Sequence, residues 1–213
     1  MSISLSLKSV FTGFSITKMS NEELIQRYAK NKECHFLGQL YDNCERDLYY
    51  FLLTLTDKEL AQEIAQHTWL KVIEKSHLYR THGSFKSWLF TISRRCLIDE
   101  FRKQGRFDQL LEEPSEGQKV HDSASKNQDH DSSMNLTDVE LVSANESESS
   151  FINQFNIGLS LLPFSQKEAF CLQQEGFSLA QIAQLTASES ETVRSRIRYA
   201  KQALKKHLEK YRD

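Results

Sequence analysis

Cations spaced to read a groove stand near the end of the chain. In ETVRSRIRYAKQALKKHLEK, residues 191–210, Arg194, Arg198, Lys201 and Lys205 recur at helical spacing and form one stripe. Val193, Ile197, Ala200, Leu204 and Leu208 form an apolar stripe beside it, while Ser195 and Gln202 point away from that stripe. One face therefore packs on a core and another offers cations. Arginine can meet a guanine edge with two hydrogen bonds, and lysine and serine anchor phosphates. A solvated surface helix would carry the same pattern, so the helix alone leaves both readings open.

A second basic stretch combines cations with rings. In SFKSWLFTISRRCLIDEFRKQGR, residues 84–106, Phe85, Trp88, Leu89, Ile92, Leu97 and Phe101 alternate with Lys86, Arg94, Arg95, Arg102, Lys103 and Arg106. Bases stack on aromatic rings and phosphates pair with cations, so the mixture suits single-stranded or melted nucleic acid. The same aromatics also suit a buried core. A third cluster, Glu59, Glu63 and His67, is spaced by four and shares a helix face that could hold a metal or stay solvated. No glycine-rich phosphate loop, nucleophile motif or catalytic carboxylate pair appears, so neither an enzyme nor a cofactor is expected.

The elements that must position these groups are helices. The chain has 213 residues with only two prolines and seven glycines. Ser178 with Gln181 has capping-box spacing and starts a short helix with Leu179, Ile182, Ala183 and Leu185 on its apolar face. Ser188 with Glu191 repeats the spacing, which predicts a second helix after a tight turn at 186–188. Two such helices make a helix-turn-helix, whose second helix enters the major groove. Upstream, Ser20 with Glu23 caps a helix in SNEELIQRYAKN. A long helix follows over about 34–55, burying Phe36, Leu37, Leu40, Tyr41, Leu48, Phe51 and Leu52. Asp57 caps the next, whose expected buried stripe is Leu60, Ile64, Trp69, Leu70 and Ile73. The loop SHLYRTHG leads into the basic stretch.

Charge divides the chain. The formal net charge is −2, but residues 107–148 carry Asp or Glu repeatedly against only Lys119 and Lys126. Polar, acidic and short of aromatics, this stretch cannot bury enough surface to offset its ordering entropy. It reads as a flexible linker, and the parts flanking it are net basic. The cysteines Cys34, Cys44, Cys96 and Cys171 lie far apart without a Cys-x-x-Cys pair, which fits reduced thiols in a cytoplasm. No apolar run approaches the length of about 20 residues that spans a bilayer. Lys8 interrupts the weakly apolar start, which does not resemble a signal peptide.

The stretches ELAQEIAQHTWLKV, GSFKSWLFTISRRCLIDEFRK and LSLLPFSQKEAFCLQQEGFSLAQIAQLTASESETVRSRIRYAKQAL together resemble bacterial RNA polymerase sigma factors of the extracytoplasmic-function (ECF) group. The first two resemble that family's region 2 and the last its region 4. The resemblance implies an all-α protein of two small helical domains, 20–106 and 149–213, joined by the linker 107–148 and preceded by an extension, 1–19. It implies core RNA polymerase as partner through the β′ clamp helices and the β flap. The clamp contacts would be Gln62, Glu63 and Gln66, with His67 where family members usually carry glutamate. The loop 76–84 matches the element that captures a base flipped from the −10 promoter element, with Tyr79, Arg80 and His82 as candidates. The helix 87–103 and Lys86 before it match the element that binds and melts −10 DNA, with Lys86, Arg94 and Arg95 as contacts. Arg95 stands where asparagine is frequent. Arg194, Ser195, Arg198 and Lys201 match positions facing the −35 element. An anti-sigma factor would be a further partner, and no membrane insertion is implied. In the family the linker runs near the active-site cleft, where an acidic chain can mimic nucleic acid; acidic linkers are also simply soluble. A helix-turn-helix regulator binding an operator without polymerase is the alternative, but it leaves the N-terminal helices unexplained.

The resemblance begins at MSNEELIQRYAKN, with Met19. Residues 1–18 are therefore expected to be dispensable, as a disordered extension or a start placed too early. Deleting them should leave polymerase-dependent transcription intact; loss of activity would refute this.

Overall fold

The computed structural model describes residues 19–80, 83–107 and 146–211, and these are helical with no strand among them. The segments 1–18 and 108–145, and with them nearly all of the expected linker, lie outside the described residues.

Helix α1, Asn21–Asn31, starts on the expected capping box: Ser20 Oγ accepts from the Glu23 amide at 3.2 Å, and Glu23 Oε2 accepts from the Ser20 amide at 2.9 Å. It buries Leu24, Ile25 and Tyr28. Helix α2, Cys34–Leu55, buries Phe36, Leu40, Cys44, Leu48, Phe51, Leu52 and Leu55 at helical spacing. Helix α3, Lys58–Lys75, is capped by Asp57, whose carboxylate accepts from the Leu60 amide at 2.9 Å. Its buried face is Leu60, Ala61, Ile64, Thr68, Trp69 and Val72. A 3-10 turn, Ser76–Leu78, then leads toward α4, Phe85–Lys103.

Helix α4 is the most deeply covered element of this half. Phe85, Leu89, Phe90, Ile92, Cys96, Leu97, Ile98 and Phe101 are all buried. Its start is capped twice. Ser84 Oγ accepts from the Ser87 amide at 3.1 Å, and Glu22 of α1 accepts from the Phe85 amide at 2.8 Å. The second bond answers an amide that a helix start leaves unpaired and ties α1 to α4.

The remaining helices are α5, Glu146–Ser160; α6, Phe164–Gln174; α7, Leu179–Thr186; and α8, Ser190–Glu209. Helix α8 packs on α5, α6 and α7 through Val193, Ile197, Ala200 and Leu204. Gly158 lets α5 come close: a Cβ there would lie 2.9 Å from the His207 ring. Helix α6 also packs on α2, and α7 on α4, so the apolar cores of the two halves are continuous.

Two expectations need correction. Tyr41, Leu70 and Ile73 are not buried: they are 44%, 55% and 38% exposed. Their spacing is helical, but they fall at the edge of the apolar stripe, beyond the line that meets a neighbouring helix; Leu37 is half-buried for the same reason. The capping box at Ser188 and Glu191 does not form either. Ala187 takes the left-handed conformation (φ 52°) and the Ser188 amide donates to the Ala183 carbonyl at 3.0 Å. Ser188 thus closes α7 instead of opening α8, which begins after Glu189 without a side-chain cap. The box at Ser178 and Gln181 forms as expected.

The left-handed turn carries strain that can be measured. An L-residue with a Cβ pays about 1–2 kcal/mol there, while glycine costs about 0.4–1 kcal/mol through the greater freedom of the unfolded chain. Ala187→Gly should therefore raise stability by up to about 1 kcal/mol in denaturant unfolding. A loss of stability would mean that the alanine methyl makes contacts outweighing the strain.

Candidate nucleic-acid interface

The apolar stripe of α8 holds that helix on α6 and α7, leaving its opposite side to water. Arg194, Arg198 and Lys201 are exposed there and line one open hollow with Ile197, Gln202 and Lys205. Ser195 is half-buried and stands outside that lining. The cations are held only loosely by acids of their own helix: Arg194 lies 3.7 Å from Glu191, and Lys205 lies 3.7 Å from Glu209. Exposed pairs of this kind contribute little and exchange readily for another anion. Arg196 takes a different part, donating to Ser188 Oγ at 2.8 Å and bracing the turn. The result is a cationic face on a helix held from behind, which can enter a DNA major groove.

The candidates around α4 do not share one open surface. Tyr79 is half-buried, its hydroxyl donates to the Gly83 carbonyl at 2.8 Å, and its ring lies edge-on to Trp88 at 5.4 Å. Burial, with help from the charge of Glu22, raises its phenol pKa. Arg80 and Arg95 are exposed, and His82 lies outside the described residues. Lys86 and Arg94 turn toward the C-terminal helices. Lys86 Nζ is 3.0 Å from Asp47 Oδ2 and 2.8 Å from Glu175 Oε2. Burial opposes the charge on Lys86, but its hydrogen bonds to Glu175 and Asp47 outweigh that and raise its pKa. Arg94 donates from Nε and Nη2 to both oxygens of Glu168, at 2.7 and 3.2 Å.

Glu168 and Glu175 were not singled out from the sequence. A signal for Glu168 was present: Phe164, Glu168 and Leu172 are spaced by four, so an acid interrupts a buried stripe. An acid in such a place needs a cation from another element. Arg94 lies in the corresponding position on α4, four residues after Phe90.

A third surface lies on α3. Gln62, Glu63 and Gln66 are exposed, and Glu63 and Gln66 continue along one face into Leu70 and Ile73. Tyr41 of α2 borders this face, its ring 5.1 Å from Trp69. The carboxyl of Glu100 on α4 is held below its ordinary value, first by the hydrogen bond from Lys103 and more weakly by the charge of His67. A glutamate in place of His67 would instead meet Glu100 with like charge. Among the described residues no three His, Cys, Asp or Glu side chains gather as a metal site, and no helix is long and apolar enough to cross a membrane.

Residues 40–107 match the family model of Sigma-70 region 2. Over 73 residues the chain is 36% identical to the ECF RNA polymerase sigma factor SigX of Bacillus subtilis, covering 34% of this chain and 38% of that one. Over 68 residues it is 37% identical to SigM of the same organism, covering 32% and 41%. The chain thus spans less than half the length of these curated relatives. Two solved structures share the fold. One is the sigma factor RpoE in complex with the anti-sigma factor NepR from Bartonella quintana (TM-score 0.58, 23% identity, 81% of this chain and 96% of that one). The other is CnrH in complex with the cytosolic domain of CnrY (TM-score 0.59, 15% identity, 89% and 97%).

Proposed function

We propose that the chain, which matches Sigma-70 region 2 at residues 40–107 and is similar there to ECF sigma factors, acts as such a factor by binding core RNA polymerase and directing it to promoters. The match to region 2 is the observation that carries this reading, because it falls on α2, α3 and α4 together. Helix α3 offers the polymerase its exposed face, with Gln62, Glu63 and Gln66 as polar contacts and Leu70 and Ile73 as apolar ones. Helix α4 and the loop before it take the −10 element through Tyr79, Arg80, His82, Lys86, Arg94 and Arg95, and assist melting. Helix α8 takes the −35 element through Arg194, Ser195, Arg198 and Lys201. The domains assigned to these tasks are 20–106 and 149–213, with 107–148 as the tether. A tether raises the effective concentration of the second DNA contact once the first is made. The two structural neighbours were solved as complexes with NepR and with the cytosolic domain of CnrY, and an anti-sigma factor is a fitting further partner for this chain. Chemistry on a substrate forms no part of the reading, and no cofactor is called for.

Run-off transcription with core polymerase, with and without the protein, on a genomic library tests the proposal. Promoter-directed transcripts should appear only when both are present. Equal promoter specificity by the free protein would overturn it in favour of an operator-binding regulator.

The α3 face gives a sharper test. Leu70 is 55% exposed, so Leu70→Glu should change stability by no more than about 0.5 kcal/mol. It should nonetheless weaken core polymerase binding at least about tenfold, or about 1.4 kcal/mol, in a pull-down titration. Unchanged binding would remove this face from the docking surface.

Reading and anchoring along α8 should separate as well. Arg194 lies near the start of the helix, where side chains reach base edges, and Lys205 lies three turns further along. A bidentate arginine–guanine contact gives about 1–3 kcal/mol of discrimination. Arg194→Ala should relax sequence preference at the −35 element in transcription from a library of randomised −35 sequences. Lys205→Ala should weaken all sequences alike and lower the salt dependence. The reverse pattern would invert the orientation assigned to the helix.

A further inference from the structure

Support and exposure on α8 are offset from each other along the chain. The buried stripe is Val193, Ile197, Ala200 and Leu204. A step of one residue turns about 100° around a helix, and a step of two turns about 200°. The cations Arg194, Arg198, Lys201 and Lys205 follow the buried stripe by one residue, so they lie along a flank. Ser195, Tyr199, Gln202 and Lys206 follow it by two, and this stripe faces directly away from α6 and α7. Tyr199 is the large side chain of that outward stripe. It is 38% exposed and stands outside the apolar core.

Tyr199 holds a cation of the flank. Arg198 Cζ lies 5.0 Å from the centre of the Tyr199 ring, and Arg198 Nη2 donates to the Tyr199 hydroxyl at 3.3 Å. Side chains one residue apart on a helix point in different directions, so this meeting is not given by the helix itself. It draws Arg198 from the flank toward the outward stripe. Arg194 and Lys205 instead lie near acids of their own helix, Glu191 and Glu209. A guanidinium laid over a ring face spends none of its N–H donors on the ring. The hydroxyl takes one donor, and a pair remains for the O6 and N7 acceptors of a guanine. A side chain already held in one pose also loses less freedom when it binds.

We propose that Tyr199 is a positioning residue for sequence reading by α8: it aims Arg198 at a guanine edge in the major groove, at one base pair of the site. Arg194 lies one turn earlier, about 6 Å along the axis, and serves a different base pair. The inference rests on the −35 reading of α8 and adds to it a residue that acts through another side chain.

The test uses the full chain bound to core polymerase, transcribing from a library of randomised −35 sequences. Arg198→Ala should lower the preference for guanine at one base pair about tenfold. Tyr199→Leu keeps an apolar side chain at this exposed position. It should lower the preference at the same base pair about threefold. Tyr199→Phe keeps the ring and should lower it less. With Arg198→Ala already present, Tyr199→Leu should change nothing further at that base pair. A tyrosine that merely supported the fold would fail this comparison, because its loss would weaken all promoters alike. An even loss across the library therefore overturns the proposal. So does a guanine preference that Arg198→Ala leaves unchanged. A change in preference that persists in the Arg198→Ala chain also overturns it, because Tyr199 would then meet a base itself. A wild-type chain that initiates without any −35 preference would sink the −35 reading. A −35 preference untouched by Tyr199→Leu sinks the positioning role alone.

Discussion

Glu168 is an acid that water barely reaches, and Arg94 is the cation that meets it there. An ionised carboxylate is costly to bury unless a partner of opposite sign answers it. Arg94 does so with two donors in a plane, so the pair fixes direction as well as distance. Helix α6 can meet α4 only where both bonds form. The aromatic contacts on either side, Phe90 with Phe177 and Phe101 with Phe164, then fall into place. Replacing such a pair by apolar groups is often neutral for stability. Its consequence here is geometric: it selects one seating of the C-terminal helices among the many that apolar burial alone would accept.

That seating reaches the rest of the N-terminal half through α4. Glu22 holds the first amide of α4, so α1 cannot move without it. Tyr79 packs on Phe85 and Trp88 in the first turn, and its hydroxyl closes the loop onto Gly83. Lys32 donates to Ser76 at 2.7 Å and fixes the other end of that loop. The loop assigned to base capture is therefore hung from a rigid frame at both ends, while Arg80 within it stays exposed.

Local chemistry made much of this legible in the chain. The capping boxes at Ser20 and Ser178 and the cap at Asp57 are short-range patterns, and each forms. The box at Ser188 is equally local but loses to a competing use of the same residue, because the Ser188 amide closes α7. Periodicity found the apolar positions of α2 and α3 without telling which of them meet a neighbour. Tyr41, Leu70 and Ile73 belong to the pattern yet face outward, and whether they are core or docking surface depends on the crossing of α2 and α3. The cations of α8 were legible because the helix that carries them is supported from one side only. The cations of α4 were legible too, but not their pairing, since Lys86 and Arg94 meet acids 89 and 74 residues away in the chain. Pairing across such a distance leaves no local signature except an acid set in an apolar stripe.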